Sequence, residues 1–350
     1  MQGLTETPAK FAENNRVVNY GKFTRPFREL NILDVDFRDK GGKTPRWMRD
    51  LRLKEWQHFG IIHPDYYLGF VAFDSKYMST SFCYIYDRKE RKVFEHHKET
   101  GPWAISVSRE LWDGWTYFKQ PGYNIEMHSW LEKGRHDLTV RIKAKRGLPA
   151  LEADLSVLED VNRYQPLVNV SPITPNRPLY THKAACPVEG TVRFGDIVYQ
   201  LDPERDISLM DVQKTYYPYR SWWKWATFAG RDTQGRIIGL NICDNLIDDD
   251  DVYNENCLWV DGKLTPLTAA EFGFEEKNTL APWHMRTTDG KVEVELRPEG
   301  ERADKINAGV LLSDFHQSFG PFSGKLIEDS GAEHMVEDYF GLAEHHLFKT

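Results

Sequence analysis

The feature that most constrains this chain is its punctuation. Apolar runs are short, several alternate with period two, and Gly, Asp-Gly and Pro cut them at frequent intervals. YYLGFVAF (66–73), FCYIY (82–86), WAISV (103–107), LTVRI (138–142) and LEADLSVL (151–158) read as strands. So do TVRFGDIVY (191–199), RIIGLNI (236–242), NCLWV (256–260), VEVEL (292–296) and GVLL (309–312). Leu151, Ala153, Leu155 and Val157 share one strand face, as do Val292, Val294 and Leu296, the pattern of a sheet with one buried side. Enrichment in Val, Ile, Tyr, Phe and Trp agrees. Links at 87–91, 113–114, 232–235, 261–262 and 289–290 suit hairpins or short reversals. LRLKEWQHF (51–59) fits a strand or a short helix, and in MVEDYFGLAEHHLF (335–348) the central Gly341 favours a strand or bulge. Amphipathic helices between strands are missing, so a βαβ arrangement is disfavoured and the expected fold is all-β.

A chain of 350 residues is long enough for two domains or one large β fold. Pro166, Pro172, Pro175, Pro178 and Pro187 crowd the stretch 166–190, and proline cannot donate to a strand ladder. We therefore expect a linker at 171–190 between β domains spanning 1–170 and 191–350, each suited to an antiparallel barrel or sandwich.

Acidic residues outnumber basic ones, 53 to 45, for a net charge of −8. This argues against general nucleic-acid binding or an anionic membrane partner, which need a basic face. KGRHDLTVRIKAKR (133–146) is the most basic stretch, but Leu138, Val140 and Ile142 make it a strand with a solvated side. Cys83, Cys186, Cys243 and Cys257 are scattered without a CxxC pair; they read as buried thiols in a reducing compartment. The N-terminus has no signal-peptide pattern and no run is long enough to span a bilayer, so a cytoplasmic location is expected. The pairs His96–His97 and His345–His346 point to opposite strand faces, no HExxH is present, and the Asp248–Asp251 run lacks the Gly and Glu of a calcium loop. No metal is expected. Dinucleotide, Walker and nucleophile-elbow motifs are absent as well, so no cofactor is expected.

Residues 211–262 carry the chemistry. Trp222, Trp223, Trp225, Trp259, Tyr216, Tyr217, Tyr219 and Tyr253 are interleaved with carboxylates and carboxamides, as in a small-molecule pocket with apolar walls and a few fixed polar groups. Trp222 and Trp225 are three positions apart and need a bulge or bend to share a face. Their indoles, with Tyr219, can stack on a flat ligand or stabilise a cationic centre; a plain aromatic plug is the alternative. Asp211 is a candidate acid. Glu255 becomes one if it faces inward, where burial would raise its pKa; Asn254 and Asn256 then point the opposite way. With Glu255 outward, the asparagines line the cavity. Asn241 joins them as a group that can orient water or a ligand oxygen, and Trp259 as a further wall. In the first half Asp74 interrupts an apolar strand, either as turn chemistry or as a placed acid, and His182 with Lys183 could reach a cleft between the halves.

GKFTRPFREL (21–30), KEWQHFGIIHPDYYLGFVAFDSKYMSTSFCYIYD (54–87), THKAACPVEGTVRFG (181–195) and DVQKTYYPYRSWWKWATFAG (211–230) carry a family resemblance. GLNICD (239–244), YNENCLWVDGK (253–263), QSFGPFSGKL (317–326) and GLAEHH (341–346) continue it nearly to the end of the chain. The chain resembles the bacterial domain-of-unknown-function family 2804. That family is similar to the double-lipocalin, calycin-like group of carotenoid 1,2-hydratases, AttH-like proteins, Diels–Alderase-type cyclases and, more distantly, tocopherol cyclase. The resemblance implies two lipocalin-like antiparallel β-barrels packed together, with ligand space in a barrel mouth or between them, and cofactor-free chemistry on hydrophobic small molecules. It supplies no catalytic residue.

The resulting expectation is an acid/base enzyme of hydratase, isomerase or cyclase type, with Glu255, Asp211 or Asp74 as acid. Trp222, Trp225, Tyr219, Asn241, Asn254, Asn256, Trp259 and His182 would bind a small hydrophobic or amphipathic ligand. A non-catalytic binding protein is the main alternative. A glycosidase with paired carboxylates is a weaker one.

Overall fold

The computed structural model describes residues 3–38, 43–308 and 311–349. About 60% of the chain is strand and 5% helix, and two curled antiparallel sheets account for nearly all of it. The larger sheet has fourteen strands and the smaller ten.

In the larger sheet Lys54–Ile62, Tyr66–Asp74, Ser79–Asp87 and Lys92–Thr100 form a meander at one side. Ile105–Ser106, Gly114–Gln120, Tyr123–Trp130, Arg135–Ile142 and Leu151–Val157 form another at the opposite side. Arg177–Phe194 and Ile207–Thr215 join the two, with Ile207–Thr215 pairing back onto Lys54–Ile62. The stretch expected as a linker at 171–190 is therefore the end of one strand and most of the next, joined by a turn at 175–176. Its prolines sit where a ladder tolerates them: Pro172 faces Pro178 beside the hairpin turn and its bulge. Pro187 marks the point where the long strand exchanges partners. Before it, Arg177–Phe194 lies between Leu167–Thr174 and Ile207–Thr215; beyond it, between Leu151–Val157 and Ile197–Leu201.

The smaller sheet starts five residues after Thr215, with Arg220–Arg231. Its order runs Lys263–Pro266, Cys257–Val260, Ile237–Asn245, Arg220–Arg231, Glu333–Lys349, Leu311–Ile327, Val292–Leu296, Trp283–Thr287 and Ala270–Gly273. Gly300–Ala308 adds to the free side of Leu311–Ile327. Of the run expected at 309–312, Gly309 and Val310 lie outside the described residues. The ambiguous segment at 51–59 divides: the helix Arg46–Arg52 ends there and Lys54–Ile62 begins. The segment at 335–348 is strand, within Glu333–Lys349.

Each sheet curls round its own apolar core. Phe59, Ile61, Leu68, Phe70, Ile125, Met127, Leu138 and Val140 belong to the first; Phe228, Leu240, Trp283, Leu296 and Phe322 to the second. The outer faces of the central strands do not meet water. Tyr67, Tyr84 and Tyr86 pack instead against Trp225, Phe319, Phe340 and Leu342 of the other sheet, and Ala185, Leu209, Ala229 and Trp259 form a second seam. Such strands are buried on both sides, so their apolar residues run on without clean alternation. All four cysteines are buried free thiols. Among the described residues, no helix is long and apolar enough to cross a membrane.

Candidate active site

Two facing rows of cross-strand neighbours meet between the sheets. On the larger sheet Lys183, Asp211 and His58 are register partners on adjacent strands. On the smaller sheet the row is Trp225, Glu344, Gln317 and Arg302. Direct opposition on neighbouring strands brings side chains of one row within contact distance, and the packed faces close the gap between rows. Lys183 Nζ lies 4.5 Å from the Trp225 ring centroid. Tyr84 Oη donates to Gln317 Oε1 at 2.8 Å, and the Arg302 guanidinium sits 4.1 Å over the Phe82 ring. Two glycines let the aromatic rings lie flat on the backbone here: a Cβ on Gly60 would fall 1.9 Å from Tyr67 Oη, and one on Gly69 2.5 Å from the Tyr84 ring.

Lys183 is the charge centre. Its ammonium donates to Glu255 Oε2 at 3.0 Å and lies 3.3 Å from Asp211 Oδ1. Burial opposes its charge, but Asp211 and Glu255 outweigh burial and hold the proton on lysine more tightly than in water. Glu255 also accepts from Thr181 Oγ1 at 3.1 Å and from Asn245 Nδ2 at 3.2 Å. Asp211 accepts from the Trp56 indole at 3.0 Å.

Glu344 behaves oppositely. Burial pushes its carboxyl up to about 7 despite hydrogen bonds from Trp223 Nε1 at 3.1 Å and Gln317 Nε2 at 2.5 Å, and Asp211 pushes the same way. His58 is buried among these groups and pushed down to about 4, burial outweighing the pull of Asp211; its Nε2 finds no hydrogen-bond partner among the described residues. The packed interface between the sheets thus brings together a fixed ammonium, a carboxyl poised near neutrality and an imidazole whose proton affinity burial lowers. Separated proton affinities of this kind are what acid/base chemistry requires. Trp56, Tyr217 and Trp223 form an aromatic wall, with Trp56 and Tyr217 within 9° of parallel and Tyr217 and Trp223 within 26°.

Of the residues singled out from sequence, the structure brings Glu255, Asp211, Trp225 and Asn241 into this cluster. Asn241 accepts from the Trp225 indole at 2.7 Å and donates to the Glu255 carbonyl at 2.6 Å. Asn254 accepts from the buried Lys22 ammonium at 2.7 Å. Asn256 is a strut, accepting from the Cys243 amide and donating to the Thr268 carbonyl. Trp259 lies in the second seam, its indole bonded to the Gln165 carbonyl.

The others lie elsewhere. No bulge joins Trp222 to Trp225; the two point to opposite faces of Arg220–Arg231, and Trp222 sits with Lys224 instead. Tyr219 is 48% exposed. Asp74 closes its strand in turn chemistry, accepting from the Lys76 amide and ammonium at 2.7 Å each. Because side chains alternate, His182 faces the interior of the first barrel while its neighbour Lys183 faces the other sheet. His58, Glu344, Trp56 and Gln317 were not singled out, and Trp223 was named only as one of the aromatics of 211–262. Each sits in a strand whose two faces are both buried, and nothing local distinguishes an inter-sheet polar residue from a surface one.

The first barrel encloses polar groups of its own. At its mouth Glu55 contacts Lys76, bonds Lys214 at 2.8 Å and Arg109 at 3.1 Å. Burial opposes its charge, but the three cations hold it down to about 2. Below lies a layer in which Glu159 accepts from both His136 and His182 at 2.7 Å.

Residues 4–349 match the model of the family described as a domain of unknown function, DUF2804, and the chain belongs to that family. Among solved structures it is similar to CghA, crystallised with Sch210972, at 11% identity, covering 98% of this chain and 97% of that one, with a TM-score of 0.57. It is also similar to kievitone hydratase from Nectria haematococca at 10% identity, covering 85% and 89%, with a TM-score of 0.50. These likenesses establish the fold, two lipocalin-like β units packed together. No curated protein matches the sequence.

Proposed function

We propose that this DUF2804 protein carries out acid/base chemistry on a hydrophobic small molecule between its sheets: a hydration, isomerisation or cyclisation that needs no cofactor. The observation that carries the reading is Glu344, a buried carboxyl pushed up to about 7, facing Lys183 and its two carboxylates across the gap. Near neutral pH a substantial fraction of Glu344 is protonated, so it can both give and take a proton.

In the reaction Glu344 delivers its proton to a double bond or carbonyl of the substrate. The Lys183 ammonium, fixed by Asp211 and Glu255, orients a substrate oxygen. His58 Nε2 takes the proton released by an attacking water or by a neighbouring carbon. The Trp225 and Trp56 rings stabilise positive charge that develops between them, and the preorganised dipoles cost no reorganisation during the step. The name of kievitone hydratase, a protein of the same fold, accords with the hydration form of this chemistry.

The test is native mass spectrometry of protein purified from its own source cells, to identify a retained guest, followed by turnover of that guest. We expect E344Q to keep the guest and lose about 100-fold or more in rate. Full turnover by E344Q overturns the reading, and a guest that the native protein never transforms replaces it with ligand carriage.

A further inference from the structure

The polar layer inside the first barrel has a geometry independent of the space between the sheets. Ser129, His136 and His182 project inward from Tyr123–Trp130, Arg135–Ile142 and Arg177–Phe194, and Glu159 reaches them from just beyond Leu151–Val157. All four are fully buried. Glu159 Oε2 lies 2.7 Å from His136 Nε2, and Glu159 Oε1 2.7 Å from His182 Nε2. Burial opposes the Glu159 charge, yet the two imidazoles hold its carboxyl down to about 2. An ionised carboxylate only accepts hydrogen bonds, so a neutral His136 ring held by Glu159 carries its proton on Nε2 and presents the Nδ1 lone pair to Ser129 Oγ at 3.0 Å. Gln57 Nε2 donates to the same Ser129 oxygen at 3.0 Å.

This is a hydroxyl, a base with the correct tautomer, and a carboxylate that fixes that tautomer: the arrangement that activates a serine. The layer also holds two buried polar atoms with no partner among the described residues, Gln57 Oε1 and His182 Nδ1. Their residues flank Val212 on adjacent strands, in one inward row. Buried polar atoms are rarely left without a hydrogen bond, and this pair marks the position of a polar guest. Glu55 stands two residues from Gln57 on the same strand, about 7 Å along it, and its partner Arg109, from the loop before Gly114–Gln120, is 37% exposed.

We propose that Ser129 is a nucleophile for carboxylic esters that enter the first barrel through its mouth, with His136 as base and Glu159 as the positioning residue. The Ser129 proton passes to His136 Nδ1 as the Oγ–C bond forms. Collapse of the tetrahedral intermediate breaks the ester C–O bond, and the proton leaves with the alkoxide. Water then repeats the route and releases the acid and the free serine.

The experiment treats the full-length protein with diisopropyl fluorophosphate, in which the Ser129 Oγ–P bond forms, the P–F bond breaks and fluoride leaves. We expect a diisopropylphosphoryl group on the peptide containing Ser129, and none there in S129A. H136Q slows labelling about 100-fold, and E159D retains more of the native rate than E159Q because it keeps the charge. No adduct at Ser129 in folded native protein overturns the proposal, as does an H136Q rate equal to native. If H136Q fails to fold by circular dichroism, the native and S129A proteins decide the matter between them.

Discussion

At the residue scale the molecule separates acids that keep their protons from acids that lose them, and each kind leaves its own mark on stability. Glu344 has a folded pKa of about 7 against an ordinary value of 4.5. Below 4.5 both folded and unfolded chains hold the proton. As pH rises from 4.5 to 7 only the unfolded chain releases it, so this residue costs stability over that window, and the cost is constant above. E344Q lacks the ionisation. Its stability relative to native protein should therefore rise between pH 4.5 and 7, by up to about 3 kcal/mol, in urea melts read at several pH values. A flat difference would place Glu344 in water.

Glu55 and Glu159 have the opposite sign. Both are held down to about 2, so the stability they contribute is present above 4.5 and lost as pH falls towards 2. Lys183 supplies a further expectation. K183M leaves Asp211 and Glu255 facing each other without their counter-charge and should cost about 3–5 kcal/mol, measured as a lower urea midpoint. That Glu255 and Asp211 keep company with aromatic and carboxamide side chains was legible in 211–262. Glu344 was not, because its carboxyl is unusual only through Asp211 and the burial that the other sheet imposes.

At the element scale the strands that position the site are those buried on both sides. Tyr66–Asp74 sends Leu68, Phe70 and Ala72 into the first barrel and Tyr67, Gly69 and Val71 towards the second sheet. Gly69 is part of that packing: a Cβ there would meet the Tyr84 ring at 2.5 Å. We expect G69A to lower stability by about 1–3 kcal/mol and to disturb the bond from Tyr84 Oη to Gln317; a denaturant melt within error of native would show that the ring shifts freely. The period-two runs at 138–142 and 151–158 were legible because one of their faces meets water. Ile207–Thr215, with Asp211, Gln213 and Lys214 all buried, was not, since its polar residues are satisfied only by neighbouring strands and by the other sheet. The same reason hid Arg177–Phe194 behind its prolines: Pro187 is tolerated at a point where the strand changes partners, and a change of partners leaves no local trace.

At the whole-molecule scale the two sheets depend on each other. The larger one ends at Thr215 and the smaller begins at Arg220. Between their packed faces lie Tyr67, Tyr84, Trp225 and Phe319 together with the Lys183–Glu255 pair. A chain ending at 215 would expose that aromatic face and strand Lys183 and Asp211 without Glu255. Large exposed apolar patches promote association, so we expect residues 1–215 expressed alone to elute as aggregates in size-exclusion chromatography, where the full chain does not. A monomeric, cooperatively melting 1–215 fragment would refute this dependence.

The all-β class, the pairing of neighbouring hairpins and the concentration of polar and aromatic groups in 211–262 can be read along the chain. These follow from local sterics, turn chemistry and the two-residue period, all of which act over a few residues. That Lys183 and His182, adjacent in sequence, serve different interiors follows from the packing of the sheets. The same packing set Glu344 near Asp211 and placed His136 between Ser129 and Glu159. Those encounters join strands far apart in sequence. Proton affinities respond to the charges and the water that surround a group in space, and a linear chain does not record that surrounding until its sheets have packed.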